Sequence, residues 1–376
     1  MAKVVILGSF AHSLINFRGK LLENLVRGGH TVIASAPGGS ESLRNNLKNL
    51  GVSFYPVPLN RTGMNPFHDV ACLLSLFRFF RRHKPDLVLG YTVKPVIYGS
   101  LSAGWAGVPS VCSLISGLGY AFSEEGQKHN SVRRLLTFMY RQGLKNNKVV
   151  FFQNPDDLNY FRDSGVTNGR SKLVLINGSG VDMEHFSLQP LPEKTSFLLI
   201  ARLINEKGIR EYVRAARILK KKYPALKFRL VGGIDNTPSA VSSEELQTWV
   251  GEGTIEYLGL LSDVRPAIGD CSVFVLPTFY REGTPRTVLE AMAMGRPIIT
   301  TDTPGCRETV QPGKNGFFVA PRDASGLANI MERFVVQPAL AEAMGRESRK
   351  LAEIKYDVRK VNRVILDNLG FIDCPT

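Results

Sequence analysis

Two glutamates, Glu282 and Glu290, stand eight positions apart in the stretch FYREGTPRTVLEAMAMG. Two such carboxylates can divide general-acid and general-base work, or each can accept hydrogen bonds from neighbouring hydroxyls of a sugar or ribose. The preceding SVFVLPT predicts a buried strand, FYREGTP a loop, and RTVLEAMAMG a helix that ends at Gly295, ahead of Pro297. Glu282 is therefore expected in the loop and Glu290 in the helix, which favours two hydroxyl acceptors over a catalytic pair.

Two cations, Arg202 and Lys207, follow the predicted strand FLLIARL, and Gly208 precedes a predicted helix from Ile209. Two cations beside the free N–H groups of a helix start suit a diphosphate. A solvated Arg and Lys in a loop fit this stretch alone equally well. A further strand ends in LVGGIDN, where Gly232 and Gly233 permit either a close approach of a ligand to the backbone or a simple tight turn.

Short β-branched runs alternate with helical patterns through most of the 376 residues, which predicts an α/β protein with mainly parallel sheets. The proline-containing SLQPLPEKTS interrupts the alternation and indicates a linker. We expect a first Rossmann-like domain over 1–188, a second over 189–355, and a C-terminal helical segment over 356–376 that packs back on the first domain. Two doubly wound halves facing each other across a cleft would bind ligands at the carboxyl ends of both sheets.

Lysine and arginine outnumber aspartate and glutamate by 47 to 33, for a formal net charge of +14. This excess favours a polyanionic partner, which is a nucleic acid, an anionic membrane surface or a phosphorylated small molecule. The five cysteines are scattered and never form a CxxC pair, so the sequence indicates neither a zinc site nor a disulfide framework, and a reducing compartment is expected. The longest apolar stretch, VACLLSLFRFF, is far shorter than the ~20 residues that span a bilayer.

Polar residues also follow the predicted strands of the first domain. GSFAHSLINFRG places four of them after the first strand: Ser9, His12, Asn16 and Arg18. YTVKPVIYGS adds Lys94, and SGLGY adds Gly117, Gly119 and Tyr120 after VCSLI. If the predicted layout is right, these residues line the rim of the cleft. Alternatively, His12 only forms hydrogen bonds, Lys94 is a solvated loop lysine, and GLG is a plain turn.

Two basic amphipathic stretches, DVACLLSLFRFFRRHK and KHNSVRRLLTFMYRQGLKNNK, combine apolar stripes with clustered cations. Such stretches can lie on anionic lipid, where each cation near the surface contributes about 1 kcal/mol. Alternatively, they are crossover helices that pack on a sheet, with solvated cations outside. We expect the apolar stripes to pack and the surplus cations to meet a membrane.

Several motifs occur together in one order: an E-x7-E element after a strand, an R-x4-K-G element after the first strand of the second domain, and PIITTDTPGCRETV downstream. In this the chain resembles the family 4 retaining glycosyltransferases, which have the GT-B fold. The resemblance runs from NFRGKLLENLVRGGHTV to GKNGFFVAPRD, and GLG together with NFR resembles a bacterial branch that elongates undecaprenyl-diphosphate-linked sugars. The chain departs from the family at YTVK, residues 91–94, where many members carry a histidine.

The resemblance implies transfer of a sugar from a nucleotide donor with retention of anomeric configuration. Arg202 and Lys207 would hold the donor diphosphate, Glu282 would contact the donor sugar, and Glu290 would accept from the ribose hydroxyls. Further donor contacts would come from Gly232, Gly233, Gly283, Thr284, Pro285 and Arg286. The expected donor is a UDP-sugar carrying an N-acetylhexosamine, and no metal or other cofactor is expected because no Asp-x-Asp element follows a strand.

For the first domain the resemblance implies a lipid-linked saccharide acceptor, with Arg18 and Lys94 facing its diphosphate and Gly117, Gly119 and Tyr120 shaping its pocket. The expected location is cytoplasmic, peripheral on the inner face of the cell membrane. The alternatives are a capsule or lipopolysaccharide glycosyltransferase with another donor, a nucleotide-sugar epimerase, and a basic nucleic-acid-binding protein. The last is disfavoured because the cations are not interleaved with aromatic residues.

Overall fold

Two parallel sheets organise the chain into two units in a computed structural model, which describes residues 1–59, 66–119, 122, 130–167, 169–235 and 237–376. The first unit comprises Met1–Ser179 and Val358–Thr376, and the second comprises Gly180–Asp357. Both units therefore have the parallel α/β architecture predicted from the alternating pattern.

The first unit contains a seven-stranded sheet in the order β3-β2-β1-β4-β5-β6-β7. Its strands are β1 Lys3–Leu7, β2 Thr31–Ala36, β3 Ser53–Pro56, β4 Leu87–Tyr91, β5 Ser110–Ile115, β6 Val149–Phe152 and β7 Lys172–Leu175. Its helices are α1 His12–Asn16, α2 Gly19–Arg27, α3 Glu41–Asn49, α4 Pro66–His83, α5 Ser100–Trp105, α6 Asn130–Leu144, α7 Pro155–Asp163 and α14 Val358–Leu369, with a π-helical turn Pro95–Gly99 before α5.

Alternate residues of these strands face opposite sides of the sheet, as the two-residue period of a strand requires. Val4 and Ile6 of β1 pack with α1, α2, α3 and α14, whereas Val5 and Leu7 pack with α4, α5, α6 and α7. Helices therefore cover both faces, which makes the carboxyl ends of the strands the natural place for ligands.

The second unit contains a six-stranded sheet in the order β10-β9-β8-β11-β12-β13. Its strands are β8 Ser196–Ile200, β9 Lys227–Val231, β10 Glu256–Tyr257, β11 Val273–Leu276, β12 Ile298–Thr301 and β13 Gly316–Val319. Its helices are α8 Ile209–Lys222, α9 Ser243–Gly251, α10 Arg265–Gly269, α11 Arg286–Ala293, α12 Ala324–Val336 and α13 Ala339–Leu351, with a 3-10 turn Asn205–Lys207 before α8 and a π-helical turn Ala352–Tyr356 after α13.

The units divide after Ser179, earlier than the boundary after residue 188 predicted from the prolines. The reason is packing: Val181, Met183 and Phe186 join an apolar cluster of the second unit, and the Val181 N–H donates to the Tyr356 carbonyl at 2.8 Å. At the other end, Val361 and Ile365 of α14 lie in the core of the first unit.

Candidate active site

The order of the second sheet reverses between β8 and β11, which are parallel neighbours. In open α/β sheets ligands bind outside the carboxyl ends of the strands at such a switch point. Arg202 and Lys207 follow β8, and Glu282 follows β11, so the sequence-predicted cations and loop glutamate all lie at this edge.

Lys207 and Glu282 form an ion pair across the switch point, with Lys207 Nζ donating to Glu282 Oε1. The two side chains are only 13% and 12% exposed, so little water screens the pair. Lys207 Nζ also lies 5.3 Å from the centroid of the Tyr280 ring, and the Thr278 hydroxyl lies 3.4 Å from the same carboxylate oxygen. The arrangement holds the ammonium group beside the strand ends.

The backbones of the two loops are locked together beneath this pair. The Glu206 carbonyl accepts from the N–H groups of Phe279 at 2.9 Å and Tyr280 at 3.1 Å. Gly208 has a φ of 74°, and the Pro277 carbonyl fills the space that a Cβ there would need. Glycine is therefore required at this position, because any side chain would push the loops apart.

Arg202 bonds to Asp235, an acid that was not among the predicted site residues. Its Nη1 donates to Asp235 Oδ2 at 2.9 Å, from the loop that follows β9. That loop is attached to the Arg202 segment by backbone bonds, including Leu203 N–H to Gly233 carbonyl at 3.1 Å. Gly232 and Gly233 thus lie beside Arg202, at the end of a neighbouring strand. The acid in GGIDN was the available signal for this partner.

Glu290 lies one turn along α11, as predicted, and is 7% exposed. Its Oε1 accepts from Arg286 Nε at 2.7 Å. Burial raises the pKa of the Glu290 carboxyl above its usual range, and the Arg286 charge opposes that effect. Glu282 bonds to Lys207 and Glu290 to Arg286, so the two glutamates have separate cationic partners.

The loop from Gly283 to Pro285 leads into the amino end of α11. Gly283 and Thr284 are buried, and the Gly283 carbonyl occupies the space that a Cβ on Gly305 would need. This packing fixes the loop between Glu282 and the first N–H groups of α11. Helix amino ends attract anions, so the predicted donor loop is built at a suitable place.

In the first unit the order reverses between β1 and β4. Ser9 follows β1 and is 7% exposed, and it accepts a hydrogen bond from the Thr92 hydroxyl at 2.8 Å. His12 and Asn16 are exposed on α1. Arg18 is 2% exposed, and its guanidinium carbon lies 5.1 Å from the centroid of the Tyr91 ring.

Lys94 forms an ion pair with Asp69 of α4, with Nζ 2.8 Å from Oδ1. Asp69 comes from a helix that packs on one face of the sheet, and it was not among the predicted site residues. Gly117 and Gly119 follow β5 with φ values of 101° and 71°. Tyr120 lies outside the described residues.

Two family models match most of the chain. Residues 17–176 match a glycosyl transferase 4-like domain, and residues 194–336 match glycosyl transferases group 1. The chain is a glycosyltransferase.

Two curated relatives support the family assignment. The enzyme shares 28% identity over 359 residues, 92% of each chain, with N,N'-diacetylbacillosaminyl-diphospho-undecaprenol alpha-1,3-N-acetylgalactosaminyltransferase of Campylobacter jejuni. It shares 24% identity over 325 residues, 82% of this chain and 81% of the relative, with UDP-Gal:alpha-D-GlcNAc-diphosphoundecaprenol alpha-1,3-galactosyltransferase of Escherichia coli.

Among solved structures, the Anabaena protein HepE in complex with UDP-glucose matches with a TM-score of 0.77 at 17% identity, over 98% of this chain and 100% of that one. This likeness confirms the fold. The glycosyltransferase therefore has the GT-B architecture of two Rossmann-like units that its motifs predicted.

None of the helices within the described ranges has the length and apolar content that crossing a lipid bilayer requires. Across the same ranges, His, Cys, Asp and Glu side chains do not gather in threes as metal ligands would. The expectation that the reaction needs no metal stays a prediction.

Proposed function

We propose that this glycosyltransferase moves an N-acetylhexosamine from a UDP-sugar to an undecaprenyl-diphosphate-linked saccharide, with retention of the anomeric configuration. Two relatives named above act on diphosphoundecaprenol-linked sugars, and one of them uses UDP-galactose. The bond from the anomeric carbon to the donor diphosphate breaks, and UDP leaves with the electron pair. An acceptor hydroxyl forms the new glycosidic bond, and its proton passes to the departing diphosphate.

The observation that carries the proposal is the Lys207–Glu282 ion pair at the switch point of the second sheet. A leaving nucleoside diphosphate gains negative charge as the bond breaks, and preorganised cations stabilise that charge without reorganisation. Glu282 keeps Lys207 in place before the donor binds, and Asp235 does the same for Arg202. In the proposed complex both cations and the amino end of α11 contact the diphosphate.

The two glutamates receive hydroxyl groups in this proposal. Glu290 is buried but keeps a second carboxylate oxygen beyond the one bonded to Arg286, and a carboxylate can accept from both hydroxyls of a ribose. Glu282 contacts the donor sugar while still bonded to Lys207. The predicted contacts by Gly232, Gly233, Gly283, Thr284 and Pro285 belong to the same donor site.

The first unit is proposed to bind the acceptor, through Ser9, His12, Asn16, Gly117, Gly119 and Tyr120. The role expected for Arg18 needs revision, because Arg18 is 2% exposed. Lys94 is held by Asp69 as Lys207 is held by Glu282, and it remains the proposed contact of the acceptor diphosphate.

The solvent face of α6 is proposed to contact the anionic membrane that carries the acceptor. Leu135 and Phe138 are 50% and 55% exposed, and residues 130–148 contain five cations and no acid. Arg133 and Arg134 line a shallow pocket, and neither has an acidic partner among the described residues. Exposed apolar groups beside unpaired cations are typical of interfacial helices, which supports a peripheral enzyme on the inner face of the membrane.

The test is a transfer assay with the full chain. UDP release should depend on both a UDP-sugar and an undecaprenyl-diphosphate-linked saccharide, and anomeric coupling in the product should match that of the donor. GDP-sugars, and UDP-sugars other than UDP-N-acetylhexosamines, serve as donor controls. An enzyme that releases no UDP with any UDP-sugar, or whose product has the inverted configuration, would contradict the proposal.

A further inference from the structure

The first unit repeats the arrangement of the second at its own switch point. Ser9 follows β1, Thr92 follows β4, and the two side chains bond to each other across the reversal of strand order at 2.8 Å. In the second unit Lys207 and Glu282 bond across the corresponding position. A polar pair at a switch point lies where open α/β sheets bind their ligands.

The backbone at Thr92 is strained. Its φ is 70°, in the left-handed region that a β-branched residue rarely adopts. Conformations of this kind persist only where the surroundings impose them, and they cluster at ligand-binding sites. The chain then enters the π-helical turn Pro95–Gly99, a second rare element that is frequent at functional sites.

Chain direction alone does not account for threonine at this position. The left-handed turn sends the chain toward Lys94, which reaches Asp69. Glycine would make the same turn without strain. What threonine adds is a hydroxyl that donates to Ser9, and this leaves the proton of the Ser9 hydroxyl available for another acceptor.

We infer that Ser9 and Thr92 form a saccharide-binding pair, in which Ser9 donates to a hydroxyl oxygen of a sugar and Thr92 is the positioning residue that fixes the Ser9 hydroxyl. The inference rests on the proposed function. The proposed function assigns Ser9 to the acceptor saccharide, and a donor sugar, which offers the same hydroxyl chemistry, is the alternative that the kinetics separate.

Four variants of the full chain test this assignment: Thr92→Gly, Thr92→Ser, Ser9→Ala and Lys84→Gly. Lys84 is the matched control, because it has a φ of 45°, is exposed, and precedes β4 at the opposite end from Thr92. Each variant is compared with wild type by thermal denaturation and by steady-state transfer kinetics, with UDP-sugar and undecaprenyl-diphosphate-linked saccharide varied separately.

Relief of the left-handed strain should raise Tm by about 2 to 4 °C in Lys84→Gly, and Thr92→Gly should gain less because it also loses the bond to Ser9. Ser9→Ala should lower kcat/KM about tenfold, because a contact to a substrate hydroxyl is lost, and Thr92→Gly should do the same because the Ser9 hydroxyl is no longer fixed. Thr92→Ser keeps the hydroxyl and should transfer sugar at close to the wild-type rate, and Lys84→Gly serves as the control for Tm only. The substrate whose KM rises identifies the sugar that the pair binds.

A Thr92→Gly enzyme that is more stable and fully active would overturn the inference, since the turn would then be purely architectural. A Thr92→Ser enzyme that loses transfer as Thr92→Gly does would also overturn it, because the hydroxyl would then not be what positions Ser9. A wild-type chain that transfers nothing to the lipid-linked saccharide refutes the proposed function itself, whereas loss confined to the variants does not.

Discussion

Replacing Lys207 with methionine should lower both stability and transfer, because Lys207 neutralises a carboxylate that water barely reaches. The side chains of Lys207 and Glu282 are 13% and 12% exposed. Removing one partner of a buried ion pair costs about 3 to 5 kcal/mol. The Thr278 hydroxyl, 3.4 Å from the carboxylate, offsets part of that loss and favours the lower end of the range. For a unit of this size the Tm should fall by about 6 to 12 °C.

The double variant K207M/E282Q separates the two effects. It removes the unpaired buried charge, so most of the lost Tm should return. Transfer by K207M, measured well below its Tm, should be lower than wild type by about 10²- to 10³-fold, the loss typical of removing one preorganised charge-stabilising donor. The double variant should not recover that activity.

Lys350→Met is the matched control for this experiment. Lys350 pairs with Glu347 at 3.2 Å, but its side chain is 66% exposed, and such surface pairs contribute less than about 1 kcal/mol. Differential scanning calorimetry and UDP release measure the two properties. If K207M keeps the wild-type Tm and transfers sugar at the wild-type rate, neither the buried pair nor the diphosphate role is correct.

Three further predictions concern the proposed donor site and the basic helix α6. Because burial raises the pKa of Glu290, the stability that the neutral carboxyl provides is present below its ordinary pKa of 4.5 and is lost as pH rises through the raised value. As pH rises, the Tm of Glu290→Gln should therefore increase relative to the Tm of wild type. A Tm difference between the two that stays constant with pH would contradict this. Asp235→Ala should lower kcat/KM about tenfold by releasing Arg202, and Asp235→Asn should restore part of it; steady-state kinetics with no loss for either would remove the positioning role. Reversing Arg133 and Arg134 to glutamate should weaken flotation with anionic liposomes by at least about 30-fold and leave neutral liposomes unaffected, whereas unchanged flotation would exclude α6 as the contact.

The positions of the residues in the proposed donor site could largely be predicted from local patterns. Arg202, Lys207 and Glu282 each follow a buried apolar run, so their places at strand ends required only the recognition of strand, loop and helix. The pairing of Lys207 with Glu282 could not be predicted in this way. It depends on β8 and β11 being neighbours, and the order of strands in a sheet is a property of the whole unit.

In the first unit, the environment of individual residues depends on contacts with residues that are distant in sequence. Lys94 resembles a free loop cation until α4 brings Asp69 to it. The positive φ of Thr92 has no sequence signal, because threonine is among the residues least expected in that conformation. The amino end of α7 does carry a local signal, because Asn154 accepts from the Asp157 N–H as a helix cap.

The placement of α14 has a consequence for biosynthesis. The first unit begins at the amino terminus of the chain but takes Val361 and Ile365 of its core from the last helix. A nascent chain that has emerged only as far as Asp357 already holds the entire second unit, whereas the first still lacks one of the helices that cover its sheet. Domains usually complete their folding in the order in which they are synthesised. Here the order should be reversed, and the unit made first should become protease-resistant last.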